Sequence, residues 1–170
     1  TRMEYSYSSA VSMRQLGQRP NSRWRVVEDM GYGDPGCYGG GEAAGAATPH
    51  LDALAADGLK LTSCYSQQTC TPTRSAILTG RLPVRTGLTR PILACDKITN
   101  NPWPDEVSLP TLLGNAGSST VLTGQLHVGE AYGMRPHDVG FDESSGFSPA
   151  PNELAQLVHA RRHPRTVAST

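Results

Sequence analysis

Cys70-Thr71-Pro72-Thr73-Arg74-Ser75-Ala76-Ile77-Leu78-Thr79-Gly80-Arg81 is the stretch on which the reading of this chain turns. Pro72 can open a helix, because its fixed φ suits a first turn whose N–H groups lack intrahelical partners, and Gly80 is a natural stop. A helix is therefore expected from Pro72 through Leu78. Cys70 then stands where the helix N-terminus points backbone N–H groups, and Arg74, one turn on, projects from the same face. Together they suit an anionic group on a substrate. Taken alone, the pair also fits a small buried cysteine beside a surface arginine.

Upstream of it, Leu59, Leu61, Ser63 and Tyr65 alternate with polar neighbours, the period of a strand that would deliver the chain to Cys70. Thr48-Pro49 is a helix start, Leu51, Leu54, Ala55 and Leu59 recur at helical spacing, and Gly58 supplies the stop. Gly39-Gly40-Gly41 and the Ala/Gly stretch behind it read as a flexible connector. Ser22 to Val27, SRWRVV, reads as a short strand ending in Glu28-Asp29 and a tight glycine-punctuated loop, although Arg23 and Arg25 suit a buried strand poorly. Residues 1–18 carry no sustained period and are expected to form an irregular arm without function.

Downstream, a basic, proline-broken loop runs from Arg81 to Asp105. Ser108 can cap a short helix carrying Leu109, Leu112, Leu113 and Ala116, stopped by Gly117, and Val121-Leu122 is the next strand candidate. From Glu130 onward Gly, Pro and Ser dominate, and only Glu153 to Ala160 has helical spacing, before the ARRHPR tail. Strands alternating with helices predict an α/β fold, a mostly parallel sheet flanked by helices. In such a sheet Glu28-Asp29, Cys70 to Arg74 and Gly124 to His127 would all emerge along the carboxyl edge, where open sheets place their ligands.

Composition narrows the function classes. The 170 residues carry 15 basic and 15 acidic side chains, a formal net charge of zero, which argues against a protein that coats nucleic-acid phosphates. The 18 glycines and 13 prolines are under a fifth of the chain, short of low-complexity levels and consistent with a loop-rich fold. Hydrophobic residues make up 37% and aromatics 6%, so a core is expected to be thin in large side chains. The four cysteines, Cys37, Cys64, Cys70 and Cys95, contain no C-x-x-C pair, which speaks against a disulfide scaffold or a structural zinc site. The longest uncharged stretch, Val107 to Gly129, holds a proline and several glycines, so no membrane span is expected. His50, His137, His159 and His163 have no recognisable ligand spacing, and GYGDPG lacks the spacing of a dinucleotide-binding fingerprint.

Cys70 to Arg81 closely resembles the first signature of the sulfatase family, C-x-P-[ST]-R followed at fixed distance by L-T-G-R. Further resemblance follows in the family's order: Pro20-Asn21, then the acids and MGYGD-x-GCYGG, then TPHLDALAADGLKLT, then PDEVSLPTLLGNAGSSTVLTGQLHVGE, then VGFDESSGF. It covers about residues 19–147, which the resemblance marks as a partial sulfatase N-terminal-type domain, with 148–170 left as an unassigned tail. The implied fold is alkaline-phosphatase-like and incomplete. The implied activity, similar to that of arylsulfatases, is hydrolysis of the sulfate monoester of a small molecule or glycan. Cys70 would be oxidised to formylglycine by a formylglycine-generating enzyme. The hydrated aldehyde, activated by one calcium ion, would attack sulfur, and its remaining hydroxyl would expel sulfate. Calcium would take Glu28, Asp29 and the oxidised Cys70 as ligands, hard oxygen donors for a hard cation. Arg74 would steady the hydrate, and His127 would assist the proton removal that expels sulfate. Relatives of this kind are often exported, to the periplasm or the extracellular space, or lumenal.

The chain departs from the family's pattern at several points. Glu28 stands where the family usually has an aspartate, one methylene shorter, which calcium's flexible coordination tolerates. Gln125 stands where the family's G-K-x-H has lysine. Losing one such charge contact typically costs on the order of 3 kcal/mol, about a hundredfold in rate. Family members are several times longer and draw further ligands from downstream sequence, so an N-terminal fragment or degraded copy, weak or inactive alone, is expected. Two further readings stand beside this one: an inactive sulfatase-like pseudoenzyme or binding module, and a phosphate or phosphonate ester hydrolase of the same superfamily.

Overall fold

The first α-helix, α1 (Pro49–Asp57), begins where Thr48-Pro49 predicts it, with proline in the first turn and Gly58 closing it. In the computed structural model, residues 21–93, 106–129, 131–148 and 156–161 are described. The expected arm at 1–18, Cys95 and much of 148–170 lie outside them. Along the chain come α2 (Cys70–Thr79), α3 (Pro83–Thr86), α4 (Leu109–Asn115), β1 (Val121–Thr123), β2 (Glu143–Ser148) and β3 (Gln156–Arg161). They fall into two compact units, Thr1–Gln67 and Gln68–Thr170.

Polar bonds organise the first unit. Thr48 Oγ1 accepts from Gly36 N at 2.8 Å and donates to Asp52 Oδ1, which takes the Cys37 amide at 2.6 Å. The start of α1 thus clamps a 3-10 turn, Gly36–Tyr38. Tyr38 Oη donates to Leu61 O at 2.8 Å and Lys60 Nζ to Cys37 O at 3.0 Å, tying the segment after α1 to the same turn. The alternation at Leu59 to Tyr65 does not make a strand, nor does Ser22–Val27. Alternation alone supplies no partner edge: Leu59 is 78% and Tyr65 74% exposed, so neither segment gains the burial that rewards a pleated backbone. Arg23 and Arg25 are exposed as well, as solvation of a guanidinium demands.

The second unit carries the core. α2 opens at Cys70, two residues before the expected Pro72, and ends at Gly80 in the left-handed conformation, whose amide bonds Ala76 O. It packs against α3 and α4. Ser108 caps α4, accepting from Thr111 N, as its residue type predicts. Leu78, Leu88, Leu126, Val128, Met134 and Val139 form the buried cluster, with Ile92, Leu122, Ala131 and Phe141 packed against it. The sheet has the order β1-β2-β3. β1 and β2 are parallel, Val121 opposite Glu143, as the expected α/β fold requires. β3 adds an antiparallel edge, Glu143 opposite Arg161. This corrects the helix expected over Glu153 to Ala160: from Gln156 the chain is a strand, because pairing with β2 outweighs a short helical period.

Candidate active site

Cys70 is the first residue of α2, half-buried, with a free thiol. The preceding Thr69 is extended, φ −148° and ψ 174°, and makes no side-chain cap bond. The helix therefore presents its N-terminal dipole beside Cys70 without a capping hydroxyl across it. Thr71, Pro72, Thr73 and Ser75 are buried, fixing α2 in the unit. Arg74, one turn from Cys70, extends a guanidinium Nη1 that donates to the carbonyl oxygen of Gln125. That bond ties the helix to the loop following β1.

The loop runs Gly124-Gln125-Leu126-His127-Val128-Gly129. Gly124 N still donates to Ser145 O at 2.8 Å, continuing the β1–β2 ladder by one bond. Gly146, in β2, allows the loop to lie there: a Cβ on it would collide with the backbone oxygen of Gly124. Leu126 and Val128 are buried on either side of His127. Held by these anchors, His127 takes φ 52°, in the left-handed region. Its Nε2 bonds the carbonyl oxygen of Ile92 at 2.9 Å. A carbonyl only accepts, so Nε2 carries the proton and the neutral ring has its lone pair on Nδ1. Ile92 N in turn donates to Thr71 Oγ1 at 3.1 Å. Cys70, Arg74 and His127 thus belong to one bonded framework of the second unit. Thr71 and the Ile92 backbone complete it, though the sequence does not mark them, since a backbone carbonyl has no residue signature.

Glu28 and Asp29 lie in the first unit, exposed, on a bend after an irregular segment. Asp29 has φ 53°, and it and His127 are the two non-glycine residues with positive φ among those described. Adjacent carboxylates are the donor chemistry that calcium prefers, and an exposed pair is accessible to an ion. Among the described residues no three His, Cys, Asp or Glu side chains gather into a metal-holding group, so two carboxylates would leave calcium's other positions to different oxygen donors. No helix among the described residues is long and apolar enough to cross a membrane.

A family model described as Sulfatase matches residues 24–156. The chain is similar to arylsulfatase A of Homo sapiens, 40% identical over 136 residues, covering 78% of this chain and 26% of that protein. It is similar to N-acetylgalactosamine-6-sulfatase of Rattus norvegicus, 36% identical over 168 residues, covering 91% of this chain and 32% of that protein. Among solved structures it resembles the PsFucS1 sulfatase from Pseudoalteromonas sp., 62% identical with a TM-score of 0.64, covering 69% of this chain and 24% of that one. The chain spans about a quarter to a third of the length of these relatives.

Proposed function

The chain belongs to the sulfatase family, and from that premise we propose that it is the nucleophile-bearing part of a sulfuric ester hydrolase, with formylglycine at position 70. The bond from Arg74 to the Gln125 carbonyl carries the reading, because it joins the cysteine-bearing helix to the loop of His127. Formylglycine supplies a hydrated aldehyde whose two hydroxyls permit both attack on sulfur and later release of sulfate, a release that serine has no second hydroxyl to perform. Arg74 offers positive charge one turn from position 70, where the oxygens of a sulfate ester accumulate charge as the alcohol departs. The Nδ1 lone pair of His127 accepts the proton whose removal expels sulfate. Glu28 and Asp29 are the residues that would hold calcium, which when bound offsets anionic charge on the reacting group. The substrate is a sulfate monoester of a small molecule or glycan, the maturation partner a formylglycine-generating enzyme, and the location exported or lumenal.

Gln125 favours a second reading, a sulfatase-like binding module without turnover, since an amide hydrogen-bonds a sulfate but brings no charge. The mass of the tryptic peptide Leu61 to Arg74 decides between them. The chain is made in a host containing the formylglycine-generating enzyme, with a control sulfatase alongside, and fragmentation separates Cys70 from Cys64. Replacement of the Cys70 sulfur by an aldehyde oxygen is expected. A thiol at Cys70 while the control converts overturns the hydrolase and leaves the binding module.

A further inference from the structure

Thr71 is fully buried, and its hydrogen bonds give the hydroxyl a task beyond packing. Its Oγ1 accepts from Ile92 N at 3.1 Å, and the carbonyl of the same residue bonds His127 Nε2 at 2.9 Å. The two bonds hold the peptide groups on either side of the Ile92 Cα. One end of this relay is the second residue of α2, whose neighbours Pro72 and Thr73 are also buried. The other end is an imidazole on a backbone fixed at φ 52° between buried Leu126 and Val128. The Ile92 side chain packs against the core that contains those two residues. An imidazole's second nitrogen is defined by what the first one bonds. The Ile92 carbonyl is therefore placed to decide which nitrogen of His127 holds the lone pair.

We propose that Thr71 is a positioning residue: through the Ile92 backbone it locks the His127 ring as the Nε2–H tautomer and so keeps Nδ1 available as a base. This deepens the hydrolase reading and rests on it for the use made of that base. The lock itself is a property of the unmodified chain and can be read without turnover. Removing the hydroxyl deprives a part-buried Ile92 N–H of this acceptor, and the peptide must shift to recover one. The carbonyl then no longer meets Nε2 in one fixed direction.

The test is the imidazole 15N spectrum of the full 170-residue chain with 15N-labelled histidine, recorded near pH 8.5, where free imidazole is neutral. His127→Gln assigns the signals. The unsubstituted chain is expected to show a ratio of Nε2–H to Nδ1–H well above that of free histidine in the same buffer. In Thr71→Val, which keeps the shape, the ratio should fall about fivefold, the weight of one ordinary hydrogen bond, while Thr71→Ser restores it. Unmoved signals from the other histidines show that the variant is folded. A ratio in the parent equal to that of free histidine overturns the proposal without any variant, should Thr71→Val fail to fold. So does a Thr71→Val ratio equal to the parent's. Neither outcome depends on whether Cys70 is oxidised, so failure here and failure of the hydrolase reading are distinguishable.

Discussion

Asp29 and His127 share a backbone conformation that glycine adopts freely and other L-residues adopt at a cost of about 1–2 kcal/mol. The sequence marks both through side-chain chemistry and family resemblance, and nothing in it discloses their φ. Asp and His are among the side chains that visit this region most readily, and retained strain of this kind clusters at functional sites. At Asp29 the two roles of the residue can be separated. Asp29→Gly relieves the backbone but gives the unfolded chain more freedom. In chelator its unfolding midpoint should equal the parent's or exceed it, a gain of at most about 1 kcal/mol. Calcium should raise the parent's midpoint and leave the variant's unmoved. Thermal unfolding of both chains with calcium and with chelator checks this. Equal calcium shifts in the two would remove Asp29 from the metal-binding residues.

At the scale of elements, caps proved readable. Ser108 accepts from Thr111 N at 3.2 Å, and its hydroxyl donates to the carbonyl of Val139, a residue of the core. Ser108→Ala removes a cap and leaves the Val139 carbonyl with only the longer bond from Thr111 Oγ1, at 3.4 Å, at an expected cost of about 1–2 kcal/mol. Urea unfolding of the variant measures it, and a loss below a few tenths would mean that α4 contributes little to the unit. Gly80 and Ser108 cap their helices through bonds complete within a few residues, and Thr48-Pro49 and Gly58 mark the ends of α1 through local backbone preference, without a side-chain cap bond at Thr48. The strands divide differently. Val121-Leu122 was legible from its apolar pair, whereas ESSGFS and QLVHAR are strands because each lies against a partner, a fact that no window of either segment contains. Ser22–Val27 and Leu59 to Tyr65 are the converse, strand-like patterns with no edge to join. The site divides along the same line. The sequence offers Cys70, Arg74 and His127 as candidates through motifs that resemble the sulfatase family's, while the Thr71 and Ile92 relay and the close passage of Gly124 over Gly146 arise from backbone approach.

For the molecule as a whole, the distribution of buried apolar side chains separates the two units. All six members of the core lie from Leu78 onward, and among the described residues of the first unit only Pro35 and Gly41 are buried. The first unit is held by bonds such as Asp52 to the Cys37 amide and Thr48 to the Gly36 amide. Hydrogen bonds bordering solvent each contribute about 1 kcal/mol net, while a buried Leu, Val or Met contributes about 1.5–3 kcal/mol. Local opening should therefore be cheap around α1 and costly around α2 and the loop from Leu126 to Val128. Hydrogen–deuterium exchange of the 170-residue chain tests the asymmetry directly. Amides of Leu51 to Asp57 are expected to exchange at least tenfold faster than those of Thr73 to Thr79. Equal protection in the two helices would mean that the first unit draws stability from contacts other than its own polar bonds. On the proposed reading the asymmetry also has a chemical logic: an imidazole that is to accept a proton, and the guanidinium on the helix beside its loop, must keep fixed directions, which a packed core enforces. Two exposed carboxylates on a bend would instead be drawn into order by an ion, were they to bind one.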